Sequence, residues 1–194
     1  MIKVKQTYIF KDVFIFTKNK SIPVKNEDGV KVGTILRAFN EEGFTNHTEL
    51  RKGTFYAYQD ERGDHITSFA VKKKGWKAVL GYEYELFFAP EEKIYHLADA
   101  KGLIYLYFHV KGKIGKDHFE VHEDWDGKIL LKINKEKYAY IIFDKETYEV
   151  RIVLLNDAVA AIYKHPAFLS LMYCIYRLYN IETTIIDEIL GEFT

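Results

Sequence analysis

The sequence predicts a mainly β domain, an antiparallel barrel or sandwich, wrapped around one hydrophobic helix near the C-terminus. Its first 155 residues contain short alternating runs of apolar and polar residues separated by turn signals. Aromatic residues make up 16% of the 194-residue chain, and such residues favour strands. Residues 166–179 have a helical pattern and are apolar on nearly every side, which is typical of a helix that is buried all round.

The strands follow one another at spacings typical of antiparallel hairpins. The Asp28 and Gly29 pair between two alternating runs is a strong hairpin signal, because glycine supplies the positive φ that such turns require. A second hairpin is predicted where residues 144–147 separate the last two runs. The predicted strands cover residues 8–10, 14–17, 22–25, 30–39, 54–58, 66–71, 78–88, 93–97, 103–110, 118–122, 128–133, 138–143 and 148–155.

After these strands the pattern changes from a strand period to a helical one. Asn156 or Asp157 is a credible N-cap for a first short helix over residues 158–163. His165 and Pro166 then break the helix, because the residue before a proline is disfavoured in the α region. Proline suits the first turn of a helix, so a second helix is predicted to begin there.

The apolar segment of this second helix has two interpretations, a core helix or a membrane-inserted one. Its uncharged run from Pro166 to Tyr176 is shorter than the roughly 20 residues that span a bilayer, and cations flank it. We therefore predict a core helix within a buried helical segment over residues 157–180. The tail, residues 181–194, fits either a strand or a short amphipathic helix.

Composition excludes some classes of protein and favours a reducing compartment. The 28 Lys and Arg residues balance the 28 Asp and Glu residues, which argues against nucleic-acid binding driven by bulk charge. The single cysteine, Cys174, lies in the apolar segment and is expected to be a small buried hydrophobe. The first residues lack the long apolar stretch of a signal peptide. We therefore expect one domain over residues 1–194, located in the cytoplasm or peripheral to the membrane.

Two stretches, residues 22–37 and residues 138–179, resemble the tubby-like superfamily of tubby C-terminal domains, LURP-one-related proteins and phospholipid scramblases. The second stretch runs strand, turn, strand, then the apolar helical segment. The resemblance implies a closed antiparallel barrel of about twelve strands that encloses the hydrophobic C-terminal helix. It also implies a binding function, because tubby domains bind phosphoinositide head groups through basic side chains.

The densest basic cluster consists of Lys72, Lys73, Lys74 and Lys77, beside Trp76. It fits contact with anionic lipid or phosphate, because each cation near an acidic membrane contributes about 1 kcal/mol. The same residues also fit a solvated turn between two strands, where lysines protect sheet edges from aggregation.

A second candidate site consists of His118, Glu120, His122 and Asp124, which alternate along one predicted strand. Alternate residues of a strand face the same side, and imidazole and carboxylate groups suit zinc or another divalent metal. The alternation with apolar residues also fits an ordinary half-exposed strand.

Evidence for catalysis is weak in this sequence. Glu83 and Glu85 share a strand face, but nothing in the sequence places a second catalytic group opposite them. Ser68 and Ser170 lack the G-x-S-x-G context of a nucleophile elbow. There is no phosphate-binding P-loop or dinucleotide fingerprint, so the sequence indicates no cofactor.

These observations favour a non-enzymatic binding or scaffold module that meets lipid head groups or a protein partner on its outer face. Two alternatives stay open. One is a metal-dependent protein or enzyme that uses the face of His118, Glu120 and His122. The other is a carrier that holds an apolar ligand inside the barrel, which requires an interior not filled by the helix.

Overall fold

The first and last strands of the sheet pair with each other and close it into a barrel. In a computed structural model of the chain, this barrel has twelve antiparallel strands, each paired with the next in sequence. The structure describes residues 6–12, 21–37, 55–72, 81–100, 108–156 and 159–191. The strands are β1 (Thr7–Lys11), β2 (Ser21–Asn26), β3 (Lys31–Leu36), β4 (Tyr56–Asp60), β5 (His65–Val71), β6 (Glu83–Phe88), β7 (Lys93–Asp99), β8 (His109–Ile114), β9 (Asp117–Glu123), β10 (Ile129–Ile133), β11 (Glu136–Asp144) and β12 (Glu149–Leu154).

The structure confirms the predicted barrel and helix and moves the ends of several strands. The strand predicted over residues 103–110 is β8, which begins at His109 and continues to Ile114. Lysines and a glycine interrupt the apolar pattern after Val110, so the strand was predicted to end there. Residues 101–107 lie outside the described residues, as does the strand predicted over residues 14–17.

Side chains alternate between the inside and the outside of the barrel along each strand, as the pleat requires. In β9, for example, Phe119 and Val121 are each 1% exposed and face the interior. Apolar residues from all twelve strands form one core together with the C-terminal helix. The strands are therefore the wall of a single core that has the helix at its centre.

The helical region consists of α1 (Ala161–Lys164) and α2 (Pro166–Gly191), separated as predicted at His165. The predicted N-cap is wrong, because α1 begins after Ala160 and has no side-chain cap. The backbone N–H of Asn156 instead donates to the carbonyl of Tyr138, 3.3 Å away, which extends the pairing of β11 with the chain after β12. Asp157 lies outside the described residues. The tail continues α2 as a helix as far as Gly191.

The barrel encloses the first part of α2. Every residue from 167 to 176 is at most 7% exposed, whereas a helix lying on a surface keeps one face in water. Met172 is 1% exposed. Cys174 is a free, buried cysteine, as expected, and burial raises the pKa of its thiol.

The second part of α2 extends beyond one mouth of the barrel. The helix has 26 residues, a length of about 39 Å. Strands of five to nine residues, tilted as in other barrels, make a wall roughly 20 Å high. Within the described residues, no helix combines the length and hydropathy needed to cross a bilayer.

Tyrosine hydroxyl groups fix the depth of the helical region in the barrel. Where the chain enters, the hydroxyl of Tyr163 in α1 donates to Oδ2 of Asp117, 3.1 Å away. Towards the opposite mouth, the hydroxyl of Tyr176 donates to Oε1 of Glu123 at 3.2 Å. Because these partners lie at the two ends of β9, sliding the helical region along the barrel axis would break both bonds.

A buried ion pair attaches α2 to the strand that closes the barrel. Nε of Arg177 lies 2.6 Å from Oδ2 of Asp12, which directly follows β1, and the hydroxyl of Tyr173 donates to the same oxygen at 2.9 Å. The side chains of Asp12 and Arg177 are 0% and 12% exposed. The guanidinium also lies 5.8 Å from the ring centroid of Phe143. Removing one partner of such a pair leaves a buried charge without compensation.

His165, between the two helices, is held as a hydrogen-bond acceptor. Its Nδ1 accepts the backbone N–H of Ala167 at 3.2 Å, and its ring packs edge-on against Tyr58 and Phe88. Burial lowers the pKa of His165, and the nearby Asp60 opposes this shift. Protonation would remove the acceptor that caps the first turn of α2.

We predict that Met172→Arg abolishes cooperative folding, because it places an unpaired charge in an interior without water. Thermal unfolding followed by circular dichroism measures this outcome. Met172→Leu is the matched control and should cost less than about 1.5 kcal/mol, since it conserves volume and polarity. A Met172→Arg protein that melts cooperatively near the wild-type temperature would show that this side chain reaches water.

We predict that Asp12→Asn lowers the free energy of unfolding by about 3 kcal/mol, because Arg177 stays buried without its counter-charge. The control is Glu149→Gln, which removes the carboxylate from an exposed pair with Arg151 at 2.8 Å. This second change should cost less than about 1 kcal/mol. Urea unfolding of both variants gives the comparison, and equal losses would contradict a special role for the buried pair.

Acid should destabilise the wild-type protein partly through His165. Its pKa is lower in the folded protein than the unfolded value of about 6.5, so the unfolded chain binds the proton more tightly. The stabilisation is complete above that unfolded value and is lost as the pH falls towards the folded one. In His165→Asn, an amide oxygen can accept the same N–H without titrating.

Between about pH 7.5 and about pH 5.5, the wild-type protein should therefore lose more unfolding free energy than His165→Asn. His122, whose pKa burial also lowers, contributes the same dependence to both proteins and cancels in the comparison. Parallel pH profiles for the two proteins would show that His165 is not responsible.

Candidate functional site

The predicted basic cluster is represented in the structure by Lys72 alone. Its backbone N–H donates to the carbonyl of Glu83 at 2.8 Å, and its ammonium lies 3.2 Å from Oε1 of Glu85. Glu85 is also 3.6 Å from Nδ1 of His96 on β7. Glu85 is therefore a buried counter-ion on the outer wall. The other members of the cluster, Lys73, Lys74, Trp76 and Lys77, lie outside the described residues.

The predicted metal-binding residues lie on or beside β9, and the structure brings only some of them together. His118, Glu120 and His122 share the outer face of the strand, as the alternation predicted. Asp124 lies beyond the strand, where its Oδ1 accepts the backbone N–H groups of Asp126 at 3.0 Å and Lys128 at 2.9 Å. Its role in the structure is to fix the turn between β9 and β10.

Glu120 is directed towards a histidine that the sequence did not single out. Its Oε1 lies 2.6 Å from Nε2 of His109 on β8 and 3.9 Å from Nδ1 of His122. Burial and the charge of Lys132 lower the pKa of His122, and Glu120 opposes the shift. Among the described residues, no group of three or more His, Cys, Asp or Glu is arranged to hold a metal ion.

A large groove crosses the outer wall over β6 to β9 and contains Lys72 at one edge. We call it the outer groove; its volume is about 1010 Å³. Cations outnumber carboxylates in its lining. The lysines, carboxylates and histidines of the lining are Lys72, Lys111, Lys113, Lys135, Glu83, Glu120, His96, His109 and His118.

The outer groove follows a weak junction in the wall. β7 and β8 pair at only three positions, from Leu97 opposite Gly112 to Asp99 opposite Val110, whereas each pairs with its other neighbour at six. A side chain at Gly112 would place its Cβ 2.5 Å from Cδ2 of Leu97 and 2.6 Å from the carbonyl oxygen of His96. Only glycine therefore allows the two strands to meet at this point.

Strand register brings the lysines of the outer groove together from distant parts of the sequence. On the outer face, Ala98 lies opposite Glu83 on one side and Lys111 on the other. The small side chain of Ala98 leaves the space beside Lys111 open. Lys113 lies opposite His118 in the next row of the sheet.

The lysines on β8 and in the turn after β10 carry the free positive charge of the outer groove. In the described part of the chain, no carboxylate forms an ion pair with Lys111, Lys113 or Lys135. Glu120, the register neighbour of Lys111, contacts His109 instead. These three lysines can therefore bind an anion without first releasing a carboxylate of the protein.

Sequence reasoning missed Lys111, Lys113 and Lys135. The alternation of Lys111 and Lys113 around a glycine was the available signal, but it lay after the end assigned to that strand. The dense run at residues 72–77 attracted attention because local density is visible in a sequence, whereas proximity across strands depends on register.

Comparison of the chain with protein-family models, with curated proteins and with solved structures finds no significant match. The function must therefore be inferred from the chemistry of the outer groove and from the filled interior.

Proposed function

We propose that this protein is a non-enzymatic binding module that holds an anionic ligand in the outer groove. The observation that carries the proposal is the set of three lysines, Lys111, Lys113 and Lys135, which form no ion pair within the described residues. A lysine ammonium is a compact charge with three donors, which suits phosphate and carboxylate groups. Clefts in which one sign of charge predominates also concentrate ligands of the opposite sign.

The filled interior argues against the alternative of a carrier. The side chains of α2 occupy the barrel axis, and residues 167–176 pack against the wall on all sides. A carrier would need an apolar cavity in that position. The ligand is therefore expected on the outside of the barrel.

The arrangement of titratable groups also favours binding over catalysis. Glu85 is paired with Lys72 and His96, and Glu120 with His109. Acid–base catalysis uses pairs of groups whose environments separate their pKa values around an open reacting position. Glu120 in the outer groove and Glu85 beside it are instead in contact with these basic side chains.

We infer that the ligand is the head group of an anionic phospholipid, and that the protein acts at a membrane surface from the cytoplasm. The resemblance of residues 22–37 and 138–179 to tubby-like proteins supports this source, because tubby domains bind phosphoinositides through basic side chains. The closed barrel around a helix is the architecture that this resemblance implies. Lys72, the first residue of the basic run in the sequence, lies at the edge of the outer groove.

Sedimentation with vesicles tests the proposal. The wild-type protein should bind phosphatidylcholine vesicles that contain phosphatidic acid at low salt and should dissociate as ionic strength rises. Lys111→Gln and Lys113→Gln should each weaken binding about fivefold, the factor that corresponds to about 1 kcal/mol per cation.

Lys25→Gln is the matched control. Lys25 is an exposed lysine on β2, which lies opposite β8 in the ring of strands, so its loss should leave vesicle binding unchanged. Pure phosphatidylcholine vesicles should retain none of the proteins. Equal effects of all three substitutions would contradict a specific role for the outer groove.

A further inference from the structure

The lysines of the outer groove that form no ion pair within the described residues lie at two positions, which bears on the number of anionic groups in the ligand. Lys111 and Lys113 are two residues apart on the same face of β8, so their Cα atoms are separated by roughly 7 Å. Each lies in a different row of the sheet and has different neighbours across the strands. The two lysines therefore present their ammonium groups to two different rows of the outer groove.

The first position is centred on Lys111. Ala98 on β7 leaves the space on one side open, and Glu120 on the other side contacts His109 at 2.6 Å. Lys72, at the far edge of the same row, is held by Glu85 at 3.2 Å. Lys111 is therefore the available cation of this row.

The second position is formed by Lys113, His118 and Lys135, which come from β8, β9 and the turn after β10. Asn134 fixes that turn against β9. Its Oδ1 accepts the backbone N–H of His118 at 2.9 Å, and its Nδ2 donates to Oδ1 of Asp117 at 2.9 Å. These two hydrogen bonds hold the turn that carries Lys135 against β9, so that Lys135 lines the same groove as Lys113 and His118.

We propose that the outer groove contains two anion subsites, one at Lys111 and one at Lys113, His118 and Lys135. The ligand is accordingly a molecule with two anionic groups, such as a compound with two phosphates, spaced to reach both rows. This inference rests on the proposed function of anion binding and adds the number of charged groups. Joining two groups in one ligand makes the second contact intramolecular, which raises affinity well above that of either group alone.

Chemical-shift titration of ¹⁵N-labelled protein separates the two subsites. Inorganic phosphate should perturb two sets of amide signals, one around Ala98 and Lys111 and one around Lys113, His118 and Lys135. Lys111→Gln should remove the response of the first set and leave the second. Lys113→Gln should do the reverse, and Lys25→Gln should leave both sets as in the wild-type protein.

Tripolyphosphate, which carries several linked anionic groups, should perturb both sets with one common affinity. That affinity should fall about tenfold in either lysine variant of β8, which corresponds to about 1.4 kcal/mol. Phosphate should lose much less affinity at the subsite that remains intact. If each variant loses the phosphate response of both sets of amide signals, the two-subsite inference is wrong. Anion binding by the wild-type protein would still stand.

Measurements on the same proteins separate failure of the two-subsite inference from failure of the proposed function. They also show whether the ligand comes from a membrane or from solution. If the wild-type protein responds to neither phosphate compound nor to acidic vesicles, anion binding itself is wrong. If tripolyphosphate displaces the protein from vesicles that contain phosphatidic acid, the two-anion ligand comes from a membrane. If tripolyphosphate binds and the vesicles do not, the two-anion ligand is a soluble molecule.

Discussion

A wall of twelve strands cannot fill its own interior, and the rest of the molecule depends on this constraint. With strands about 4.8 Å apart and tilted by about 40°, the wall encloses a cylinder roughly 24 Å across. Side chains from the wall reach only part of the way to its axis, so a second element must lie there. The helix α2 is that element, and apolar residues of every strand pack around it. Tyrosine hydroxyls and the pair of Asp12 and Arg177 add directional polar contacts that define the position of the helix.

Much of this architecture could be predicted from local patterns. The apolar residues at 166–179 required burial on all sides, and alternating runs marked most of the strands. Periodicity did not distinguish a barrel from a sandwich, because both satisfy the same alternation. The prediction of a barrel came from the resemblance to tubby-like proteins. The N-cap was misplaced because Asn156 bonds to the neighbouring strand, a contact between residues far apart in sequence. The outer groove was missed for a similar reason, since Lys113 and Lys135 become neighbours only through the register of β8 with β9 and of β9 with β10.

Because the helix occupies the interior, the inward residues of each strand serve stability and the outward residues can serve ligand recognition. Residues that face the helix are constrained by its shape, whereas outward residues of the same strands are free to carry charge. β8 shows both constraints within three residues, with Lys111 and Lys113 outside and Gly112 at a position where no side chain fits. The short pairing of β7 with β8 lies at this point, so the groove occurs where both strands have fewer backbone pairs than with their other neighbours.

The order of these elements along the chain has a consequence during synthesis. The wall is made first, and the helix that completes its core comes from residues 167–176, after the last strand has been translated. β1 also waits for β12, its partner in closing the sheet. At a translation rate of roughly 5–20 residues per second, the strands spend several seconds near the ribosome with their apolar faces uncovered. The apolar faces of the nascent strands therefore have no helix to pack against until residues 167–176 leave the ribosomal exit tunnel.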